Sequence, residues 1–297
     1  MINFINIKDI VINPTSEKST FSKPKQYIPP KEDILILELM SQLNTECTEN
    51  TSNSQAETNW EYAALIVETR KNNYLFDIIK HTLSCLPSNF GLYIVGSAFN
   101  QEWLEEEAIN YINLQKTKIM CLDKITHFGI KGYNELMLSP KFWQLIKSYR
   151  TEKVLIFQPD GFPIRNGIEL FLNYDYIGAP WRNIPYNYQI EGIPKINQVV
   201  GNGGLSLRSV SKMIQALDEF PARDWLLHNY PEDVYYASVF PAMGFNIADP
   251  KTAMEFSHET VYDKLNSFGS HCGWRYNPEI GRFIENQFKS RLKSEIK

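Results

Sequence analysis

The sequence predicts an α/β protein built around a mostly parallel, Rossmann-like central sheet flanked by helices. Short apolar runs, typical of strands buried on both faces, alternate with segments of helical periodicity from Trp60 onward. Such alternation is typical of βαβ units, whose strands run parallel and bind ligands at their carboxyl ends. After residue 160 the alternation becomes irregular, and aromatic and Gly/Pro-rich segments predict a loop-rich half that receives the substrate.

The individual elements follow from these two patterns. The apolar runs predict strands over residues 62–69, 91–96, 117–122 and 153–158. The helical periodicity predicts helices over residues 73–86, 100–112 and 142–150, and over 209–220 and 232–244 in the second half. Pro87 closes the first of these helices.

Residues 1–59 differ from the rest of the chain. A Pro/Lys/Ser-rich patch precedes one amphipathic helix over residues 32–43, and residues 44–59 are almost wholly polar. A polar stretch buries too little apolar surface to offset its ordering entropy, so we predict a mobile linker there. The sequence thus predicts two regions: an N-terminal extension over 1–59, and a domain over 60–297.

Composition narrows the function classes. Thirty Lys and Arg against 34 Asp and Glu give a net charge of −4, which argues against a protein that binds nucleic-acid phosphates. The four cysteines form no CxxC pair, which disfavours a zinc site and favours free thiols in a reducing compartment. The N-terminus shows no signal-peptide pattern, and no apolar run approaches the ~20 residues of a membrane helix. We therefore expect a cytoplasmic protein with no transmembrane segment and no nucleic-acid partner.

The fourth predicted strand runs directly into the turn Gln158-Pro159-Asp160-Gly161. An acidic side chain at the carboxyl end of a strand lies where α/β folds bind ligands. A hard cation that also binds phosphate needs only one or two protein carboxylates. A plain Pro-Asp-Gly turn explains the same residues equally well.

The segment 199–209 places three glycines within four positions. Glycine permits positive φ and leaves backbone N–H groups open to a ligand, so this segment is a candidate ligand loop. It matches neither of the standard phosphate-loop patterns, and a tight hairpin turn is a fair alternative.

Two further segments carry candidate chemistry. Glu232 and Asp233 follow Pro231 in the first turn of a predicted helix, where the macrodipole stabilises acidic side chains and is expected to lower their pKa. A carboxylate held there and aimed into a cleft is also a good general base. His271 lies between glycines in a predicted loop and His258 is a weaker candidate, although a lone histidine is more often structural.

Five segments in this order resemble a bacterial domain family of glycosyltransferase type, similar in plan to the GT-A nucleotide-sugar transferases: Q-x-D (158–160), DYIGAPW (175–181), GNGGLSLRS (201–209), PEDVYY (231–236) and GSHCGW (269–274). In the GT-A fold, a DxD metal motif, a glycine loop, an acidic motif and a C-terminal metal-binding histidine recur in this order. The resemblance covers about residues 60–275 and implies the GT-A version of the predicted α/β fold.

The resemblance implies roles for individual residues. Asp160 would bind the divalent cation, Mn²⁺ or Mg²⁺, that bridges the donor's diphosphate. Gln158 stands where the family motif has its first aspartate, and this departure removes a charge. His271 would complete the metal shell, and Gly203 and Gly204 would let the acceptor approach the donor sugar.

On the catalytic side, the resemblance implies that Asp233 is the base of an inverting transfer, with Glu232 as the fallback. At the end of the first strand, Thr69 and Arg70 are placed to meet the base or phosphates of the donor nucleotide. Trp181 is a candidate for stacking on a sugar ring, although aromatic residues at such positions are more often core.

Together these expectations describe a hexosyltransferase-type enzyme that moves a sugar from a nucleotide-sugar donor, implied to be a UDP-sugar, to a carbohydrate or other hydroxyl acceptor. One alternative is a metal-dependent nucleotidyltransferase. That class is expected to carry a Gly-rich basic loop after the first strand, whereas residues 68–74 contain two basic residues and no glycine. The other alternative, favoured by Gln158, is a non-catalytic carbohydrate-binding domain that kept the fold.

Overall fold

The computed structural model describes residues 4–7, 28–43, 59–122, 128–182, 200–261 and 265–295. Residues 44–58, which make up nearly all of the predicted linker, lie outside these ranges. None of the helices within the ranges combines the length and the apolar character needed to cross a membrane.

The strands of the described ranges are short, and most are buried. They are β1 (Phe4–Ile7), β2 (Tyr62–Val67), β3 (Phe90–Ser97), β4 (Thr117–Leu122), β5 (Lys153–Phe157), β6 (Gly161–Pro163), β7 (Tyr176–Gly178), β8 (Ser206–Ser209), β9 (Ser257–His258) and β10 (Gly269–His271).

Helices alternate with the strands as far as β5, and further helices lie in the second half. The helices are α1 (Lys31–Leu43), α2 (Leu75–Ser84), α3 (Gln101–Tyr111), α4 (Gly129–Met137), α5 (Pro140–Ser148), α6 (Val210–Glu219), α7 (Arg223–Leu227), α8 (Glu232–Ala242), α9 (Pro250–Phe256), α10 (Gly273–Tyr276) and α11 (Pro278–Glu295).

Seven of the described strands form a central sheet in the order β1-β4-β3-β2-β5-β8-β7. The pairs from β1 to β5 are parallel, and β8 runs antiparallel to both β5 and β7. Because β3 and β4 lie on one side of β2 and β5 lies on the other, the strand order reverses between β2 and β5. Open α/β sheets bind ligands at the carboxyl ends of the strands that flank such a reversal. The predicted fold class, a mostly parallel central sheet flanked by helices, is confirmed.

Helices cover both faces of the sheet. Ala64 and Ile66 of β2 belong to one buried apolar cluster, whereas Ala63 and Leu65 belong to the cluster on the opposite face with Trp143 of α5. Successive side chains of a strand point to opposite faces, so burial on both sides requires an unbroken apolar run. This requirement explains the runs from which the sequence predicted β2 to β5.

The elements that the sequence did not predict lack a strong pattern. Strands β6, β10 and β9 form a second, three-stranded sheet of only two or three residues each, too short to show a period. Helix α11 has 18 residues, and its buried stripe is narrow, with Ile280, Ile284 and Phe288 facing the core.

Two elements of the predicted N-terminal extension share the body of the fold. Strand β1 pairs in parallel with β4 at the edge of the central sheet. Helix α1 packs against α2 and α11, and it buries Ile36, Leu37 and Met40 in the same apolar cluster as β2. The boundary at residue 59 stays a prediction, which the next variants test.

We expect Leu37→Ala in the full chain to lower the free energy of unfolding by about 2–5 kcal/mol, the usual cost of truncating a buried leucine. Leu37 is 1% exposed, whereas Leu35 of the same helix is 49% exposed and provides the matched control. Leu35→Ala should cost less than about 0.5 kcal/mol. Urea denaturation measures both, and equal small losses would mean that α1 only decorates the core.

Candidate functional site

The turn after β5 lies beside the reversal of strand order. Gln158 and Gly161 exchange backbone hydrogen bonds, with N···O distances of 2.8 and 2.9 Å, so the predicted turn is present. The turn leads into β6, which pairs with β10 and sets His271 opposite Gly161. This pairing brings the two predicted metal ligands, Asp160 and His271, to one place although they are distant in sequence.

Asp160, His271 and Cys272 form a cluster that can hold a metal ion. The Nε2 atom of His271 lies 3.8 Å from Oδ1 of Asp160, and one ligand atom from each of the three residues lies within 4.8 Å of the others. Cys272 has a left-handed backbone with φ of 43°, and its N–H donates to the Asp160 carbonyl over 2.6 Å. Desolvation and the charges of Asp160 and Glu259 raise the pKa of Cys272 to about 12, so it presents a thiol at neutral pH.

Glu259, which the sequence analysis did not single out, lies on the other side of the imidazole. Its Oε1 atom is 3.4 Å from Nδ1 of His271 and accepts a 3.0 Å hydrogen bond from Nδ2 of Asn202. A carboxylate beside one ring nitrogen directs the other toward a metal. His258 instead places Nδ1 2.9 Å from the Ser267 hydroxyl.

The surroundings of His271 are strongly acidic. Desolvation lowers the pKa of the imidazole, but the close contact with Glu259 and the charges of Asp160, Glu259 and Asp233 outweigh it and raise the pKa above its usual value. The negative potential that favours a proton on this ring also favours a cation beside it.

The glycine loop is pressed between His271 and the start of α8. A Cβ atom on Gly204 would lie 2.2 Å from Nε2 of His271, and one on Gly203 would lie 2.5 Å from Oε1 of Glu232 and 3.0 Å from Cβ of Asp233. The N–H of Gly203 donates to Oδ2 of Asp233 over 3.0 Å. The close approach of the loop to His271 on one side and to α8 on the other therefore requires glycine at both positions.

The two acidic residues of α8 have different surroundings. Both carboxylate oxygens of Glu232 accept hydrogen bonds from Arg208 of β8, at 2.5 and 2.9 Å, and both residues are buried. The other oxygen of Asp233, Oδ1, accepts from the N–H of Val234 over 2.8 Å. Asp233 therefore carries no cationic side-chain partner within hydrogen-bond distance among the described residues.

Desolvation and the neighbouring charge of Glu232 raise the pKa of Asp233 to about 7, against the hydrogen bonds from Gly203 and Val234 and the charge of Arg208. The expectation that the helix start would lower this pKa is wrong, because burial outweighs the dipole. A carboxyl group with a pKa near 7 is well matched to proton transfer at neutral pH.

Hydrogen bonds hold the segment that follows β2, at the carboxyl end of the strand beside β5. Nε and Nη2 of Arg70 donate to the buried carboxylate of Glu68 over 2.7 and 2.8 Å. Nδ2 of Asn100 donates to the carbonyls of Glu68 and Arg70, and the Ser97 hydroxyl donates to the Thr69 carbonyl. Glu68, whose buried carboxylate anchors the predicted donor-binding arginine, was not predicted from the sequence.

Trp181 packs partly buried against the apolar cluster that contains Trp143. It follows Pro180, which forms a β-bridge with Val200, and residues 183–199 between them lie outside the described ranges. Its predicted contact with a sugar stays a prediction.

The fold and this geometry define an α/β protein with an acidic, cation-compatible site at the carboxyl ends of a mostly parallel sheet. The chain belongs to the family described as "Protein of unknown function (DUF5672)", whose model matches residues 116–271. No curated protein matches the sequence. Among solved structures, the apo form of mouse xyloside xylosyltransferase 1 is similar, with a TM-score of 0.45 and 10% identity over 72% of this chain and 97% of that chain.

The raised pKa of Asp233 predicts a pH-dependent contribution to stability. The folded carboxyl group, with its pKa near 7 instead of 3.8, holds a proton that the unfolded chain releases. Its contribution is fully present below pH ~4 and is lost as pH rises to ~7. We expect wild type to lose on the order of 2 kcal/mol more than Asp233→Asn between pH 5 and pH 8, since each pKa unit corresponds to ~1.4 kcal/mol.

Denaturation in EDTA at both pH values measures this difference. Asp218→Asn, a change at an exposed carboxylate of α6, is the matched control and should follow wild type. Parallel pH dependences for wild type and Asp233→Asn would contradict the raised pKa.

Proposed function

We propose that the protein is a metal-dependent glycosyltransferase that moves a sugar from a nucleotide-sugar donor to an acceptor hydroxyl with inversion of configuration. The observation that carries the proposal is the meeting of two groups on one glycine loop. His271, which lies 3.8 Å from Asp160, packs against Gly204, and Asp233 accepts a hydrogen bond from the N–H of Gly203. A cation-binding pair and a carboxyl group with a pKa near 7 are thereby held on adjacent residues.

The residues present fit a divalent cation. Asp160 offers a carboxylate oxygen and His271 an imidazole nitrogen, ligands that suit Mn²⁺ or Mg²⁺ when phosphate and water complete the shell. Oε2 of Glu259 is a buried acceptor with no hydrogen-bond partner in the described part of the chain, so the surroundings of His271 contain one acceptor oxygen that is not satisfied. Cys272 contributes a protonated thiol, a poor ligand for hard cations. When bound, the cation would neutralise the charge that develops on the leaving diphosphate.

Asp233 is the general base in this proposal. The bond from the donor's anomeric carbon to the diphosphate breaks, a bond from that carbon to the acceptor oxygen forms, and Asp233 receives the proton of the acceptor hydroxyl. Gly203 and Val234 hold the carboxylate in place through their N–H groups. Glu232, the fallback, is a poor base because Arg208 occupies both of its oxygens.

The donor nucleotide, of uridine type as the resemblance implies, is assigned to the carboxyl ends of β2 and β5. Thr69 and Arg70 follow β2, and Gln158 follows β5, with the two strands in parallel register. Because Glu68 fixes the guanidinium of Arg70, we propose that Arg70 meets the donor in a preset orientation. Gly203, Gly204 and Trp181 are assigned to the acceptor side.

One observation favours the alternative of a non-catalytic carbohydrate-binding domain. Nη1 of Arg275 lies 2.9 Å from Oδ2 of Asp160, so a protein cation already offsets part of the charge that a metal ion would neutralise. Together with Gln158 in place of an aspartate, such an ion pair is what a domain without a metal site would contain. The first experiment below separates this alternative from the enzyme.

We expect wild type to hydrolyse a UDP-sugar slowly in the presence of Mn²⁺ and not in EDTA. Asp160→Asn should abolish both the hydrolysis and the Mn²⁺-dependent part of donor binding, because it removes the charged ligand and keeps the volume. Asp218→Asn, the exposed control, should behave as wild type. Product analysis by chromatography measures hydrolysis, and calorimetry measures donor binding.

Donor binding that is indifferent to both Mn²⁺ and Asp160→Asn, without turnover, would support the binding domain instead. Release of pyrophosphate from a nucleoside triphosphate would support the nucleotidyltransferase.

We expect Asp233→Asn to lower kcat by roughly 10² or more, the scale of lost general-base catalysis, while KM and donor affinity change little. The wild-type rate should fall as pH drops below about 7, following the carboxyl group's titration, and the variant should lose this dependence. Steady-state kinetics across pH and NMR of the product's anomeric configuration provide the measurements. Near-normal turnover in the variant, or a product that retains the donor's configuration, would refute the role of Asp233.

A further inference from the structure

Arg275 of α10 connects two carboxylates from distant parts of the chain. Its Nη1 atom lies 2.9 Å from Oδ2 of Asp160. Its Nε atom donates to Oδ1 of Asp33 over 3.0 Å, and its Nη2 atom bonds to Oδ2 of the same residue. One guanidinium therefore joins the first turn of α1 to the proposed cation site.

Asp33 is a buried and fully engaged carboxylate. It is 2% exposed, and it accepts a third hydrogen bond, 2.8 Å long, from Nε1 of Trp274. A buried carboxylate is tolerated when such charge-assisted hydrogen bonds offset its desolvation. Because α1 is packed in the apolar core through Leu37 and Met40, Asp33 is fixed relative to the sheet.

The contact with Asp33 divides the N–H donors of Arg275 between two carboxylates. Two of its nitrogens face Asp33, and only Nη1 reaches Asp160, on the Oδ2 side. The other oxygen of Asp160, Oδ1, is the one that lies 3.8 Å from Nε2 of His271. The arrangement leaves a carboxylate oxygen and an imidazole nitrogen facing each other, with the arginine held to one side.

We propose that Asp33 is a positioning residue for the cation site. It restrains the guanidinium of Arg275 and offsets its charge, so that Asp160 keeps Oδ1 available for a cation shared with His271. The inference rests on the proposed function only in taking Asp160 and His271 as the cation ligands. It gives the N-terminal helix a role in the site, in addition to its role in the core.

The physical reason is competition between two cations for one carboxylate. A guanidinium presents its N–H groups in a planar fork that matches both oxygens of a carboxylate. Without the negative charge of Asp33, Asp160 would be the acidic partner that remains for Arg275 among the contacts described. The guanidinium would then pair more fully with Asp160, and its positive charge would repel a divalent ion.

The test is the affinity of the donor-free full chain for Mn²⁺, measured by isothermal titration calorimetry. Asp33→Asn keeps the side-chain volume and can still accept from Trp274, but it removes the charge that offsets Arg275. We expect its Mn²⁺ affinity to fall about 10-fold or more, the scale of effects from residues that orient metal ligands. Glu38→Gln, which removes an exposed carboxylate from the same helix, is the matched control and should bind as wild type.

A second pair of variants tests whether Asp33 acts through Arg275. Arg275→Gln removes the competing cation, so its Mn²⁺ affinity should equal or exceed that of wild type. Adding Asp33→Asn in that background should then change the affinity little. An equal loss from Asp33→Asn in both backgrounds would overturn the positioning role, as would a lowered melting temperature with an unchanged Mn²⁺ affinity.

These outcomes are distinct from a failure of the proposed function. If Asp160→Asn abolishes Mn²⁺ binding while Asp33→Asn binds as tightly as wild type, the cation site stands and this inference falls. If wild type shows no Asp160-dependent Mn²⁺ binding, the cation site falls, and the role of Asp33 falls with it. Should Asp33→Asn fail to fold, Arg275→Gln decides alone, because a loss of affinity there contradicts competition and a retained or tighter affinity supports it.

Discussion

The ion pair between Arg208 and Glu232 ties the central sheet to the helix that carries the proposed base. Arg208 is fully buried on β8, and its guanidinium lies 5.1 Å from the ring centroid of Tyr176 and 5.6 Å from that of Tyr236. Removing one partner of such a pair leaves an uncompensated buried charge, which typically costs about 3–5 kcal/mol. The first turn of α8 is therefore held against β8, and the position of Asp233 depends on this pair.

The same pair helps to set the chemistry of Asp233. The negative charge of Glu232 raises the pKa of Asp233, whereas the positive charge of Arg208 lowers it, and desolvation adds the largest upward contribution. Hydrogen bonds alone would keep the carboxyl group of Asp233 ionised at neutral pH. Desolvation and the charge of Glu232 raise its pKa, so that it titrates near pH 7 instead. The two adjacent acidic residues therefore have different surroundings: Glu232 is paired with Arg208, whereas Asp233 has a pKa near 7.

The sequence predicted the fold well where burial leaves a local pattern. Strands β2 to β5 are buried on both faces, which demands the unbroken apolar runs from which they were predicted. Strand β8 has only four residues after a glycine loop, and no period can be recognised over that length. Helix α1 was predicted as a helix, but its docking in the core was not, because a polar stretch separates it from the domain.

In the candidate site, too, residues within a sequence motif could be predicted, whereas contacts that arise from tertiary structure could not. Asp160, the two glycines and Asp233 could be singled out as candidates because their motifs occur in a recognisable order. Glu259 was missed because its contact with His271 arises from tertiary structure and its neighbours in sequence form no motif. The pKa of Asp233 was predicted in the wrong direction because a first-turn position reports the helix dipole and not the burial imposed by the loop that packs on it.

The segment that supplies His271 also connects α1 to the proposed cation site. Trp274 and Arg275 follow His271 within one short turn, and both donate to Asp33 of α1. A shift of α1 would therefore move the same segment that holds the imidazole against Gly204, where no space remains for even one additional carbon atom. Because the apolar contacts of α1 fix Asp33, and Asp33 binds the turn that follows His271, the packing of α1 in the core also restrains the position of His271 at the sheet's carboxyl edge.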